Sequence, residues 1–436
     1  METLDELLKQ LDELPDGYIS KKTIKGKVYT YLQYFSNGKI VSKYVSSGSL
    51  KTLEAKLAKR KEIEAKIKEL KGNYVEMSPL TKREKELTGY LMSGSHIAVK
   101  LYKGDVIELD RRYSPFAITR TKDFKSFLKS RCIDTNRANA HALFHSLQMK
   151  ETKECDIPLY VNACTVTDNY WFKPSGAVTK YSELKFGKNL YAHVALTGEK
   201  RTYPWGCCRT PEITTGGSTE KCWIFENDYW WMYKKETPEQ VFSDVFTFSL
   251  AEELDIRTIR YYPVEGGVKC RNFASKCNFD TLAAVVDDIN DYEGAYEGLK
   301  AFNDKNLLKD FIKIRYLDAI VHNTDRTIND MGILRSRKTG EIICMAPSFD
   351  YNNTLFASCP DLSIVPENDP IVKSFCNFLH GNKEARKYLK KTKILKVKKD
   401  AIKRSVLKAD PKRETYKDVY DFVIARVQYI KKHMKK

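Results

Sequence analysis

From Leu307 to Val321 apolar residues return every three or four positions, at Leu307, Leu308, Phe311, Ile314, Leu317, Ile320 and Val321. That spacing predicts a helix with one packed face. The stripe stops at His322, so the polar run HNTDRTIND starts from a fixed helix end. Met331–Leu334 and Ile342–Ala346 then predict two short strands joined by a charged turn at Arg335–Gly340, which delivers Asp350 just past the second strand. A second patterned region runs from Thr214 to Glu236. Two adjacent glycines precede a strand at Lys221–Phe225, which turns at Asn227-Asp228 into a strand at Tyr229–Lys235. A period of two places Trp230, Met232 and Lys234 on one face. A helix over Glu239–Leu254 follows, with Val241, Phe242, Val245, Phe248 and Leu250 apolar and Asp244 available to pair with a lysine.

Upstream the pattern is different. Tyr18–Val45 carries short β-branched and aromatic runs, punctuated by Lys25-Gly26-Lys27 and Ser36-Asn37-Gly38-Lys39, and predicts a three-stranded meander. Ser49–Lys71 predicts a charged helix with Leu50, Leu53, Leu57, Ile63, Ile67 and Leu70 on one side. Gly72–Thr81 is the best candidate for a linker. Between residues 95 and 200, strands at His96–Tyr102 and Val106–Leu109 mix with helices at Asp123–Ser130 and Ala138–Gln148, without a catalytic cluster. Tyr170, Trp171 and Phe172 suit a core. Three segments are expected: an accessory module at 1–73, a lobe at 82–240 and a helical lobe at 241–436.

Composition narrows the classes. No apolar run reaches the roughly 18 residues needed to span a bilayer, and the polar start lacks a signal-peptide core, so a cytoplasmic protein is expected. The 11 cysteines form no CxxC pair, which argues for reduced thiols over a disulfide framework or zinc site. The net charge of +18 is uneven: residues 383–436 hold 20 Lys or Arg against 6 acids. Residues 17–51 hold seven lysines and no acid, interleaved with Tyr29, Tyr31, Tyr34 and Phe35. Both segments, 17–51 and 383–436, are candidates for nucleic-acid contact. They equally suit a protected sheet edge and solvated helix faces.

The chemistry lies in the patterned regions. Helix, acidic loop, hairpin and acid is the layout with which a kinase sets a base and metal ligands around ATP, and Asp325, Asp330 and Asp350 occupy it. Gly216 and Gly217 let backbone amides approach an anion, and an apolar-side Lys234 needs an anionic partner such as ATP phosphates. Each has a plainer reading: a tight turn at Gly216-Gly217, a cap by Asp330 before Met331, an Asx turn by Asp350 at Tyr351–Asn353. His322 is expected as a packed or hydrogen-bonded residue rather than a catalyst.

Together these residues resemble the HipA-like family of bacterial serine/threonine kinases, over roughly Pro211–Leu379. The resemblance implies an α+β, protein-kinase-like two-lobed fold, with a mixed β/α N-lobe, a mainly helical C-lobe and, here, a small β-meander plus helix module in front. It implies ATP and Mg2+ as cofactors and a Ser/Thr hydroxyl on a protein substrate, with an antitoxin-like partner. By position, Asp325 corresponds to the catalytic base, Asp350 to the main magnesium ligand and Lys234 to the lysine on the α and β phosphates. Thr215, Gly216, Gly217 and Ser218 match the phosphate loop, and Thr214 the autophosphorylated serine. The pattern departs in three places: Asp330 stands where the family has a metal-binding asparagine, with Asn329 one residue early; Thr327 replaces a histidine; Asp244 replaces a longer glutamate. The alternatives are a catalytically weak pseudokinase and a non-enzymatic nucleic-acid-binding protein acting through its basic ends.

Overall fold

The computed structural model describes residues 4–36, 39–71, 77–149, 153–203, 206–286, 288 and 290–435. The chain divides into two compact units, Met1–Tyr74 and Val75–Lys436.

The first unit runs α1 (Leu4–Asp12), β1 (Tyr18–Ile24), β2 (Lys27–Ser36), β3 (Lys39–Val45) and α2 (Ser47–Lys71), with an antiparallel sheet in the order β1-β2-β3. Lys25 and Gly26 both take positive φ, as a two-residue hairpin turn between twisted strands requires. The second turn signal, Asn37-Gly38, lies outside the described residues. One sheet face carries Leu32 and Val45, buried against Leu57 with Leu50 and Leu53 of α2. Ile63 and Ile67, further along α2, are buried, as are Leu7 and Leu11 of α1. Arg60 fastens the two helices by donating to the Leu14 carbonyl at 3.1 Å. Of the expected linker, residues 72–76 lie outside the described residues. Its second half is tied down: Met77 N–H donates to the Cys207 carbonyl at 2.8 Å and Thr81 caps a short helix at Lys82–Lys85.

The second unit opens with β4 (Gly89–Ser93), β5 (His96–Tyr102), β6 (Asp105–Leu109) and β7 (Tyr170–Pro174), in the order β6-β5-β4-β7. Tyr170, Trp171 and Phe172 are buried in β7, as their aromatic run suggested. A second antiparallel sheet, β10-β11-β9-β8, comprises β8 (Lys221–Glu226), β9 (Tyr229–Lys235), β10 (Tyr261–Val264) and β11 (Gly267–Arg271). The helix Pro238–Glu253 follows β9, started by a reciprocal cap between Thr237 and Gln240 and by Pro238 in the first turn. The division expected at 240/241 therefore runs through this helix. Strand β11, beyond it, pairs with β9, so the small sheet extends to Arg271.

A third sheet joins β12 (Cys277–Thr281), β13 (Gly332–Ser336) and β14 (Ile342–Met345). Strand β13 continues through Arg335, where a charged turn was expected. Arg335 is buried: it donates to Asp280 on the paired strand at 3.0 Å and to the carbonyls of Ser114 at 2.7 Å and Gly340 at 2.9 Å. A charge so fully partnered does not end a strand.

The helical part is centred on Lys305–Val321, whose Leu307, Phe311, Ile314, Leu317, Ile320 and Val321 are buried in the main core. Each such side chain contributes about 1.5–3 kcal/mol through burial. Around it pack helices at Pro370–Gly381, Lys383–Lys391 and Lys417–His433, while the helix Lys399–Ala409 packs on Pro238–Glu253. Part of the basic C-terminal charge is engaged inside the unit: Arg404 with Glu253 at 2.7 Å, Lys408 with Glu252 at 3.1 Å and buried Arg426 with Asp369 at 2.9 Å. Among the described residues no helix is long and apolar enough to cross a membrane.

Candidate functional site

The acidic loop begins where the central helix stops. His322 takes the left-handed conformation that ends the helix, φ 58°, and its buried ring meets Asp369 at 2.9 Å, so it serves packing and the cap. Asn323 donates to buried Asp318 at 3.0 Å and accepts weakly from Asp325 N–H at 3.4 Å. Asp325 itself is exposed. Arg326 turns inward and braces the loop, donating to Asp318, to the Asp330 and Phe349 carbonyls and to Ser348 Oγ. Two loops separated in sequence are thereby held by one guanidinium.

Asp350 sits on the second of these loops with φ 63°, a left-handed conformation that aspartate tolerates better than most residues. Its N–H donates to Tyr261 Oη at 2.8 Å. Its carboxylate accepts from Lys234 Nζ at 2.7 Å, a contact spanning 116 residues of sequence. Lys234 also lies 3.0 Å from Glu236 and 3.8 Å from Asp244. The Glu236 and Asp244 side chains are wholly buried, whereas 34% of Asp350 remains exposed. Asp244 accepts from Tyr351 N–H at 2.8 Å, which ties the helix Pro238–Glu253 to the Asp350 loop.

Burial and charge set the protonation preferences. Burial would raise the Asp350 carboxyl, but Lys234 and Lys221 outweigh it and hold it well below the usual carboxylate range. Asp244 goes the other way. Burial pushes it well above its ordinary value, and Glu236 and Asp350 add to the push against the pull of Lys234. Burial also raises Asp330, with the Asp350 charge adding and Arg326 opposing.

The loop expected to hold phosphate lies between a short 3-10 helix, Pro211–Thr214, and β8. Gly216, Gly217 and Ser218 are exposed. Gly217 has φ +92°, a left-handed conformation that favours glycine. Gly216 does not take that conformation. Thr214 and Thr215 are buried; the Thr214 hydroxyl donates to the Cys164 carbonyl at 2.8 Å, and the Thr215 hydroxyl to the Pro211 carbonyl at 2.8 Å. In this conformation neither hydroxyl faces solvent, so the autophosphorylation expected at Thr214 requires the 3-10 turn to open.

Asp330, expected as a metal ligand, is turned into its own loop. Its Oδ2 accepts from Thr327 N–H at 3.0 Å and Thr327 Oγ1 at 2.9 Å, while Thr327 accepts from Asn329 N–H at 3.2 Å. This is the capping alternative. Asn329 is exposed. Among the described residues no three His, Cys, Asp or Glu side chains are grouped as metal ligands. The donor set nonetheless fits magnesium with a nucleotide, because that ion uses one or two carboxylates and takes its other oxygens from phosphates and water. The Asp350 charge reaches Asp330, and both carboxylates act on Lys221.

Three residues here escaped the sequence reading. Lys221 pairs in register with Lys234, so two lysines stand directly opposite on one sheet face. Such a pair repels unless anions lie over it; burial lowers Lys221, with Asp350 opposing and Lys234 adding. Glu236 lies two residues past Lys234, on the same face by the strand period, and that spacing was a usable signal. Glu212 is fully buried next to the Gly216-Gly217 loop and accepts from Trp223 N–H at 2.7 Å and Asn189 Nδ2 at 2.5 Å. It pins the start of the loop to β8. Its distant partner Asn189 gave no local signal.

Comparison with known proteins bears on the fold. The HipA chain of the Shewanella oneidensis MR-1 toxin–antitoxin complex with HipB and operator DNA matches with a TM-score of 0.52 at 12% identity, over 80% of this chain and 100% of that one. The proinflammatory kinase CtkA of Helicobacter pylori matches with a TM-score of 0.34 at 15% identity, over 49% of this chain and 90% of that one. The HipA match shows a shared α+β, kinase-like fold. A family described as a domain of unknown function, DUF6788, matches residues 2–55. Among curated proteins none matches this sequence.

Proposed function

We propose that the protein is an ATP- and magnesium-dependent phosphotransferase acting on a Ser or Thr hydroxyl of a protein substrate. The observation that carries this reading is the 2.7 Å contact between Lys234 on β9 and Asp350 after β14, within a fold shared with HipA. Phosphoryl transfer asks for positioning and charge neutralisation more than for covalent chemistry. In this reading Lys234 and Lys221 receive the tail phosphates, and the amides of Gly216, Gly217 and Ser218 close over them. Asp325, which is exposed, accepts the substrate's hydroxyl proton late in transfer. Asp350, with Asp330, would hold magnesium, which would neutralise phosphate charge. Asp244 positions Lys234 and the Asp350 loop rather than touching nucleotide. HipA's complex with HipB makes an antitoxin-like partner part of the proposal.

The test is transfer from γ-labelled ATP with magnesium, to the protein itself or to a cell extract. Native protein should label a target, while Asp325→Asn should bind nucleotide with transfer reduced by about 10²–10⁴-fold. Equal labelling by Asp325→Asn would remove that residue as base. ATP binding without transfer by the native chain would favour the pseudokinase reading, for which the inward turn of Asp330 is the specific support.

A further inference from the structure

The meander of the first unit has two unlike faces. One is closed by α2 over Leu32 and Val45. The other is open, and strand register decides what lies on it: Tyr31 pairs with Tyr44, and Tyr29 pairs with Lys22. Alternation along β2 puts Lys27, Tyr29 and Tyr31 on this same side. The Tyr44 ring lies 6.3 Å from Tyr29 and 5.9 Å from Tyr31, both edge-on, and Lys22 Nζ stands 5.2 Å from the Tyr31 ring centre. Tyr44 is 57% exposed and Lys22 and Lys27 are exposed. No acid occurs between residues 17 and 51, so nothing on these strands repels a polyanion.

We propose that this open face binds single-stranded nucleic acid, with bases stacked on Tyr29, Tyr31 and Tyr44 and phosphates met by Lys22 and Lys27. Lysines alone would suit any polyanion, an acidic peptide included. Three clustered tyrosines fit a ligand that is anionic and also presents flat π-faces, and a nucleic-acid strand is both. A duplex keeps its bases stacked inside, so its π-faces are out of reach of a sheet surface, and the strand must be single. The inference concerns residues 2–55 and does not depend on phosphoryl transfer.

The test uses the full-length chain and fluorescence anisotropy with labelled mixed-sequence DNA and RNA of about 12 nucleotides, single-stranded and as duplexes. Single strands should bind more tightly than duplexes, with affinity falling as salt rises by a log–log slope of about −0.7 per phosphate met. Tyr31→Ala and Tyr44→Ala should each weaken binding roughly 5- to 150-fold, and Tyr44→Phe should retain it, because stacking needs the ring and not the hydroxyl. Lys22→Ala should reduce the salt slope by about 0.7. Circular dichroism checks that the exposed substitutions leave the fold unchanged. Three outcomes overturn the proposal: duplex bound as tightly as single strand; Tyr→Ala variants binding like the parent, which would assign binding to basic charge elsewhere; or a polyglutamate peptide competing at equal charge concentration, which would identify an acidic protein as partner.

Discussion

Replacing Lys234 with methionine keeps the apolar stem and removes the charge, so it isolates what the ammonium does. Lys234 lies 2.7 Å from Asp350, 3.0 Å from Glu236 and 3.8 Å from Asp244. Lys221 and Arg326 remain as cations near Asp350, and burial already weakens the hold of Lys221 on a proton. Removing one partner of a buried ion pair costs about 3–5 kcal/mol, because the other charge is left without compensation. Asp350 is partly exposed and the acids can take up protons, so the lower end, about 3 kcal/mol at neutral pH, is expected. Urea unfolding read by tryptophan fluorescence suits the measurement, since Trp223, Trp230 and Trp231 all lie on the β8–β9 hairpin. At a slope near 3 kcal/mol/M the midpoint should fall by about 1 M. The pH dependence carries the mechanism. In the parent protein Asp350 is held below its ordinary value, so its contribution is complete above the unfolded value of about 4 and disappears only as pH falls further. In the variant the acids lose their cation and their values rise, so the variant gains stability as pH falls from about 8 to about 5. The gap between the two proteins should therefore narrow on acidification. A cost under about 1 kcal/mol, or a gap that does not change with pH, would refute the account.

Asp330→Asn retains an oxygen for Thr327 and should change stability little, whereas Asp330→Ala removes the cap and should cost about 1 kcal/mol by the same unfolding assay. Glu212 is raised to about 7 by burial, so between pH ~4.5 and ~7 the folded protein keeps a proton that the unfolded chain releases, and stability falls as pH rises through that window. The shift corresponds to about 3 kcal/mol at most, and Glu212→Gln should flatten that part of the stability–pH curve. Arg335→Leu leaves buried Asp280 without its cation and should cost about 3–5 kcal/mol in chemical unfolding; adding Asp280→Leu should recover most of the loss.

What could be foreseen from the sequence follows the range of the forces involved. The β8–β9 hairpin, the meander and the central helix were legible because turn chemistry and apolar period are local, and Asn227 and Asp228 do take the positive φ that their turn demands. Lys234 and Asp350 were legible as types at a spacing, and the structure brings them together. Asp244 was legible as a partner for a lysine, whereas the approach of Glu236 to Lys234 at 3.0 Å was not, because packing in a shared buried space decides such distances. Arg335 was misplaced for a related reason. A charge in a strand looks like a turn until its partners, Asp280, Ser114 and Gly340, arrive from distant segments. The expected division at 240/241 falls inside the helix Pro238–Glu253, and strands before and after that helix pair in one sheet, which no local composition marks.

Two departures from the HipA-like pattern, Thr327 for histidine and Asp330 for asparagine, become a single feature in the structure. Thr327 gives both its N–H and its hydroxyl to Asp330 and takes the Asn329 N–H in return, closing a one-turn cap. A histidine at 327 has no hydroxyl for this exchange. Both donations end on Oδ2, so the other carboxylate oxygen takes no part in the cap. An asparagine has one side-chain oxygen to divide between loop and cation; an aspartate has two. The extra negative charge at 330 is what this costs, and the loop meets it with Arg326, whose guanidinium lies between the Asp330 and Phe349 carbonyls. An asparagine at 330 alone would therefore leave the cap in place, since the threonine would still claim its single oxygen.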